Sequence, residues 1–424
     1  MAKVNVRKRG NYWSWRFEGA VVDGKRQQPS KSGYRTKKEA EIAGAQAYAE
    51  YFNTGLVFEP AEHSVADYLD YWFENDVKLN LSYNTQLGYL SIIENHLKPA
   101  FGTYKLRAIQ PAVVQEYINR LKLQGLRKSS IQGILGVFKK ACEYAVAPCN
   151  FIKENPIDKI KMPTIEKKAR ERIILTETEW EQILERFPFG NRFHIMLMLG
   201  YHTGLRIGEV CGLTWDDIDF EKNTIDINKQ VVKRKYDSVS KLVYKATGKA
   251  TGATWFFQKT KTAASNDTIK MGPTLKAVLQ KEKARQAQNE LKYGELWTEH
   301  RLKQELDEKN NKIYRLVPTQ KCMDINLPKT KLVCIGDDGS FTSSDSFKYA
   351  SRVIHAELKL AFDFHALRHT HGTMLAESGV NPKAIQKRLR HAKITTTFDT
   401  YVHATESLQD QAVDQWEKRI RGQK

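Results

Sequence analysis

The segment Phe364-His365-Ala366-Leu367-Arg368-His369-Thr370-His371-Gly372-Thr373 is basic, rich in imidazole and helical in pattern. His365 and Arg368 stand three apart, so on a helix they share a face, one turn from each other. A fixed guanidinium beside an imidazole makes a receptor for phosphate. Arg presents a planar fork of donors, and His can accept or give a proton. A second arginine, Arg206, sits in the Gly-punctuated segment Thr203-Gly204-Leu205-Arg206-Ile207-Gly208-Glu209. Tyr401 follows the imidazole-rich segment at about a helix-loop-helix distance. The chemistry these residue types share is phosphate recognition, provided the chain brings them around one phosphate.

Each residue also has a plainer reading. His365 and His369 are four apart and could share a metal with His371. However, Ala366 stands where a zinc hydrolase of the His-Glu-x-x-His type needs glutamate, and no carboxylate sits at a third-ligand spacing. No metal and no other cofactor is expected. Arg206 alone would be a surface ion pair, and Tyr401 alone a half-buried tyrosine. His369 and His371 read as structural, and His403 carries no assigned role.

Composition narrows the partner. The chain has 424 residues, and 68 Lys and Arg against 49 Asp and Glu leave a formal charge of +19. Such a surplus points to a polyanion, with nucleic acid the first reading and an anionic membrane surface the second. No apolar run approaches the ~18 residues of a membrane span, and the start of the chain has no apolar signal region. A cytoplasmic protein without membrane attachment is expected. The cysteines (Cys142, Cys149, Cys211, Cys322, Cys334) are odd in number and form no Cys-x-x-Cys pair or zinc-finger spacing with His. They read as reduced, mostly buried thiols of a cytosolic protein.

The elements that must position these groups fall into three blocks. In residues 1–58, Trp13, Trp15 and Phe17 alternate with Tyr12, Ser14 and Arg16, the period of a half-buried strand. Asp23-Gly24 signals a hairpin, and Thr36 with Glu39 signals a capped helix whose apolar face is Ala40, Ala43, Ala47 and Tyr51. A small basic sheet of this kind fits the DNA major groove, whereas a solvated face on a dimerisation module is the plainer alternative. Residues 55–63 read as a linker. Residues 63–160 read as four helices: one capped by Ser64 with Val65, Tyr68, Leu69, Trp72 and Phe73 on one side, and one over Thr85–Leu97 with Leu87, Leu90, Ile93 and Leu97 as its apolar positions, ended by Pro99. The third runs from Pro111 to Gly125 with Val114, Tyr117, Ile118 and Leu121 inward, and the fourth is capped by Ser129 or Ser130. Lys159 to Arg172 is a charged connector, read equally well as solvated or as tracking a DNA backbone.

Residues 173–424 read as an α-rich domain with strands. Thr176 and Glu179 form a capping box, and an apolar helix runs from Phe193 to Thr203-Gly204. Strands are predicted at Thr224–Ile227 and Trp255–Phe257. Lys259-Thr260-Lys261-Thr262 follows as a turn, with a returning strand at Asp267–Met271. Lys281 to Asn310 reads as a long charged helix or helix pair, and Asp337-Asp338-Gly339-Ser340 as a hairpin turn. The tail from Thr405 to Arg421 reads as an amphipathic helix with Leu408, Val413, Trp416 and Ile420 on one face.

At this point the motifs resemble those of tyrosine recombinases of the phage integrase family over nearly the full length. They are most similar to the integrases of conjugative transposons and of phages of Gram-positive bacteria. The resemblance rests on Thr-Gly-Leu-Arg-Ile-Gly-Glu at 203–209, Lys-Thr-Lys-Thr at 259–262, His-Ala-Leu-Arg-His-Thr at 365–370, Leu-Arg-His-Ala at 389–392, and Tyr401, in that order. It implies a mainly α fold with small β parts in three domains. These are an N-terminal three-stranded sheet plus helix (1–58) for arm-type DNA, an all-α core-binding bundle (63–160) and an α+β catalytic domain (173–424).

It implies a site-specific recombinase in which Tyr401 attacks a phosphodiester to give a 3′-phosphotyrosine. Arg206 and Arg368 would clamp the phosphate, and His391 would bond a non-bridging oxygen. His365 would bond the phosphate or take the tyrosine proton, and Glu209 would orient an Arg or His. Lys259, with Lys261 as the alternative, would protonate the leaving 5′-oxygen. The resemblance further implies a homotetramer on two duplexes carrying core and arm sites, a tail helix exchanged between protomers, and an accessory excision factor. From charge and helix position, Arg7, Arg9, Arg16, Lys25, Arg26, Lys128 and Ser129 are the expected DNA contacts. A non-cleaving DNA-binding protein of the same fold and a type IB topoisomerase are the alternatives. The segments 248–257 and 281–345 are long for the family and loosen the position of the Lys.

Overall fold

The computed structural model describes residues 4–18, 21–22, 25–26, 28–54, 63–164, 172–234, 254–259, 266–307, 309–395, 413, 416–417 and 419–421. The chain divides into two compact units, residues 1–168 and 169–424. No helix among the described residues is long and apolar enough to cross a membrane.

In the first unit the strand signal around Trp15 becomes the centre of a three-stranded antiparallel sheet. Strands β1 (Asn5–Arg9) and β2 (Tyr12–Arg16) pair directly. Val21–Val22 (β3) and Lys25–Arg26 (β4) form a separate two-stranded hairpin, and β5 (Ser30–Tyr34) completes the sheet in the order β1-β2-β5. Asp23 and Gly24 lie outside the described residues. Trp15 and Phe17 are buried against Ala47, and Tyr48 and Tyr51 pack around them from the helix Lys37–Thr54. That helix starts as its sequence requires, with Glu39 N–H on Thr36 Oγ1 at 3.2 Å and Thr36 N–H on Glu39 Oε2 at 3.3 Å.

A second core in the same unit is all helical. Val65, Tyr68, Leu69 and Trp72 enter it from a helix capped by Ser64, and Val114, Tyr117, Ile118 and Leu121 from the helix Pro111–Leu123. Three local expectations fail there. Pro99 does not end its helix but sits in the first turn of Lys98–Phe101. The wide π turn at Ile93–Leu97 directly before it relieves the clash that a proline ring makes in a regular helix. Leu87 faces solvent, and Gln86 is buried in its place, its amide donating to the carbonyls of Lys78 and Leu81. The last helix begins at Lys128 after Arg127, so neither Ser129 nor Ser130 is its cap.

The second unit is organised on the apolar helix His194–Thr203, whose Ile195, Met196, Leu197, Met198 and Leu199 are all buried. A helix apolar on every side must be covered on every side. The helices Pro273–Tyr293, Ile207–Gly212 and Phe364–Glu377 pack against it. Gly200 permits the closest of these approaches, since a Cβ there would fall 2.6 Å from Leu367 and 2.8 Å from Phe364. Thr176 and Glu179 form the predicted reciprocal cap of the helix Glu177–Arg186.

Two sheets flank this core. Strands β6 (Ile218–Asp219), β7 (Thr224–Ile227) and β10 (Asp267–Lys270) form the first, in the order β10-β7-β6. The second contains β8 (Lys229–Arg234), β9 (Thr254–Lys259), β11 (Thr298–Leu306), β12 (Lys312–Gln320) and β13 (Lys329–Thr330), in the order β13-β11-β12-β9-β8. Strand β10 therefore does not return along β9. It pairs with β7, where Ile269 opposite Ile225 enters the core. The charged stretch from Lys281 is helical only to Tyr293, and Gly294 breaks it at φ 54°. Beyond it the chain forms the β11–β12 hairpin, docked on β9 through Tyr314 and Arg315. Local helix preference of Glu and Lys yields there to ladder pairing and to burial of His300, Ile313 and Leu316.

Candidate active site

The helix Phe364–Glu377 is capped by Asp363, whose carboxylate accepts from Ala366 N–H at 2.9 Å. Ala366, Leu367 and Thr370 fill the core, and Thr370 Oγ1 accepts from Leu175 N–H at 2.9 Å. That packing sets the angle at which Arg368 enters the protein, where it is only 2% exposed. Its guanidinium donates to the carbonyl of Gly204 at 2.6 Å and to that of Leu389. One side chain therefore joins the two segments that carry Arg206 and His391. Gly204 makes the junction possible. It ends the preceding helix at φ +65°, and a Cβ on it would fall 2.7 Å from Leu389 and 3.2 Å from His371.

Arg206 stands directly before the short helix Ile207–Gly212, and the three-residue spacing to Glu209 becomes a contact. Glu209 Oε1 accepts from Arg206 Nη1 at 2.9 Å, and Oε2 accepts from the Arg206 backbone N–H at 2.9 Å. Glu209 is buried, whereas the Arg206 side chain remains 40% exposed and available to a ligand. A third arginine, unassigned from the sequence, meets the same carboxylate: Arg390 Nη2 donates to Glu209 Oε2 at 2.6 Å. Two guanidinium groups, Arg206 and Arg390, share this one buried carboxylate, and Arg368 adds a third cation on the carbonyls of the adjoining segments. Such an excess of buried positive charge favours an anion.

His391 follows the left-handed turn at Arg390, its backbone tied at both ends to Gln386. Burial holds its imidazole down at about 3, and the cations Arg368 and Arg206 push the same way, followed by His365 and His369. His391 is therefore neutral at pH 7, within electrostatic reach of both arginines. His365 is exposed on the helix surface, its ring 4.7 Å from that of His369 and edge to face. Burial, then the neighbouring His365, lowers His369 to about 4. His371 is committed elsewhere. Its Nε2 accepts from Arg388 Nε at 2.9 Å, and burial with the Arg388 charge holds it at about 3. Among the described residues, no three His, Cys, Asp or Glu side chains gather as a metal-binding group.

The backbone of Lys259 ends β9 directly opposite Lys229. The adjacent residue Gln230 packs on Gly208 and Gly212 of the helix that Arg206 precedes. Lys229 is held by Asp217 at 2.5 Å. Lys261, Tyr401 and His403 lie outside the described residues.

In the first unit, strand register puts Arg7 opposite Ser14, Arg9 opposite Tyr12 and Arg16 opposite Asn5, all on one face of the sheet. The other face carries Val6 and Trp15 toward the helix. The side chains of Lys25 and Arg26 are not among those described. Lys128 is half-buried at the start of its helix, and Ser129 is exposed. The residue that sequence reasoning missed is Arg390, although it lies inside the quoted Leu-Arg-His-Ala motif. Its signal was a bulky cation in the position after a helix, where glycine or asparagine usually stands.

Residues 174–407 match the phage integrase family, 64–122 its N-terminal SAM-like domain, and 5–51 an arm DNA-binding domain. The chain is 25% identical over 395 residues to a tyrosine recombinase XerC-like protein of Caldanaerobacter subterraneus subsp. tengcongensis, covering 90% of this chain and 89% of that one. Its fold is similar to that of the Tn1549 transposon integrase solved with a circular intermediate DNA. The TM-score is 0.60 at 20% identity, over 84% of this chain and 99% of that one. A lambda integrase tetramer bound to a Holliday junction gives a TM-score of 0.52 at 17% identity, over 94% of each chain.

Proposed function

The chain belongs to the phage integrase family, the DNA breaking-and-rejoining tyrosine recombinases, and we propose that its own chemistry runs through Tyr401 at the arginine cluster. The Tyr401 phenolate attacks the scissile phosphorus as the bond to the 5′-oxygen breaks. The products are a 3′-phosphotyrosine and a free 5′-hydroxyl. Lys259, or Lys261 beside it, supplies the proton to the departing 5′-oxygen. The phosphoester count is unchanged, so the 5′-hydroxyl of another strand can reverse the step and release Tyr401. Arg206 and Arg368 offset the charge that builds on the non-bridging oxygens. Neutral His391 donates to one of those oxygens, and exposed His365 bonds the phosphate or takes the phenolic proton.

The single observation that carries this assignment is the grouping of three guanidiniums around one buried carboxylate, Arg206 and Arg390 bonded to Glu209 and Arg368 to the carbonyls of Gly204 and Leu389, with Arg206 still reachable from solvent. A phosphodiester supplies the anion such a cluster lacks.

We further propose that residues 1–58 bind arm sites through the Arg7, Arg9 and Arg16 face together with Lys25 and Arg26. Residues 63–160, with Lys128 and Ser129, would then clasp the core site, and 173–424 would cut it. Four copies assemble on two double-stranded DNAs in the cytoplasm, with an accessory factor favouring excision. Val413, Trp416 and Ile420 support a tail that docks on a neighbouring protomer. They recur at helical spacing and are 61%, 63% and 60% exposed.

The test offers two differently labelled duplexes carrying the element's ends. Exchange of strands between them is the expected result. Relaxation of supercoiled DNA without exchange would indicate a topoisomerase, and binding without either would indicate a non-cleaving relative.

A further inference from the structure

The cluster contains one cation to which the reaction above gives no task. Arg390 is 2% exposed and adopts φ 55°, ψ 48°, a left-handed conformation that disfavours long side chains and suits glycine or asparagine. Glycine would occupy this turn without strain. Here the turn instead carries a guanidinium inward to Glu209, and among the described residues its Nε and Nη1 have no hydrogen-bond acceptor. Local conformation and solvation both oppose an arginine at this position, so its contribution must lie in what it touches.

It touches the carboxylate that holds Arg206. Glu209 uses Oε1 for Arg206 Nη1 and Oε2 for both the Arg206 backbone N–H and Arg390. We propose that Arg390 is a positioning residue for DNA cleavage, fixing the Glu209 carboxylate and, through it, the guanidinium of Arg206 against the scissile phosphate. This rests on reading Arg206 as a phosphate clamp. With Glu209 as its sole partner, Arg206 would be largely neutralised and free to swing with the carboxylate. Arg390 anchors that carboxylate from the buried side and takes part of its charge. Arg206 thereby keeps both its direction and its attraction for an anion.

The experiment compares wild type with Arg390→Gly, Arg390→Asn and Arg390→Lys in the full chain. Gly and Asn both suit the left-handed turn, so at least one neutral variant should fold, as a thermal melt will check. Single-turnover formation of the covalent protein–DNA adduct is measured on nicked DNA carrying either the natural scissile phosphate or an uncharged methylphosphonate. On phosphate, Gly and Asn should slow cleavage about 10- to 100-fold, as loss of a supporting residue typically does, with DNA binding unchanged within about threefold and partial recovery in Lys. On methylphosphonate, where less charge has to be clamped, the deficit should shrink to a few-fold. Cleavage within threefold of wild type would overturn the proposal. So would an equal deficit on both substrates, since that marks a purely structural role. Absence of any adduct with wild type would instead refute the reading of the site itself.

Discussion

Replacing Glu209 by Gln removes the charge that links two arginines while keeping nearly the same shape. The cost is set by whichever cation loses more. Arg206 is 40% exposed and can turn to water, so its loss is small. Arg390 is 2% exposed and has only Glu209 as a hydrogen-bonding side-chain partner among the described residues. Stranding a buried charge by deleting its partner costs about 3–5 kcal/mol. At roughly 2–4 °C per kcal/mol for a unit of this size, the melting point should drop by about 6–20 °C.

Adding Arg390→Gly to Glu209→Gln removes the stranded cation and should recover most of that loss. Relief of left-handed strain, about 1–2 kcal/mol, enters both the Arg390→Gly single variant and the double variant, so it cancels in a double-mutant cycle. The coupling energy then isolates the ion pair. Urea unfolding read by hydrogen exchange of peptides from 194–212 follows this unit separately from the first. A loss under about 1 kcal/mol for Glu209→Gln, with additive behaviour in the double variant, would refute the claim that Arg390 depends on this carboxylate.

Other outcomes follow from the same geometry. His369, His371 and His391 have folded values depressed to about 4, 3 and 3, so between there and 6.5 the unfolded chain binds more protons. Stability of residues 169–424 should be full above pH 6.5 and fall as pH drops through that window, by up to about 1.4 kcal/mol per pH unit for each histidine; a flat urea midpoint from pH 7 to 4.5 would contradict it. Of Lys259→Ala and Lys261→Ala, the one that removes the general acid should slow cleavage about 10²- to 10⁴-fold. A bridging 5′-sulfur, which leaves without a proton, should restore it; rescue of neither variant would place the acid elsewhere. Substituting Arg7, Arg9 and Arg16 together by Ala should reduce the salt slope of arm-DNA binding by about 2.7, three phosphate contacts at 0.9 each, without slowing cleavage of an isolated core site. An unchanged slope would remove that sheet face from the interface.

Features fixed by short-range chemistry were legible before the fold was known. The caps at Ser64, Thr36 and Thr176 and the inward faces of 65–73 and 111–123 each depend on side chains within one or two turns. The spacing of Arg206 and Glu209 also became a real contact, because a helix brings residues three apart together. What escaped depended on distant partners. Strand β10 chose β7 over β9 because Ile269 and Ile225 meet in the core. The β11–β12 hairpin was hidden by helix-favouring Glu and Lys, since its ladder and its docking on β9 leave no local periodicity. Arg390 was passed over because its neighbour Glu209 is 181 residues away in sequence.

The central claim is most directly tested with a labelled DNA nicked within the spacer, so that cleavage cannot be reversed. Wild type and Tyr401→Phe are incubated with it in EDTA, denatured, and any protein–DNA adduct is digested and mapped by mass spectrometry. The account predicts a protease-sensitive adduct with wild type, its nucleotide on the peptide containing Tyr401. Tyr401→Phe should give none while binding the same DNA. Wild type that binds without forming an adduct, or an adduct on a different residue, would contradict it.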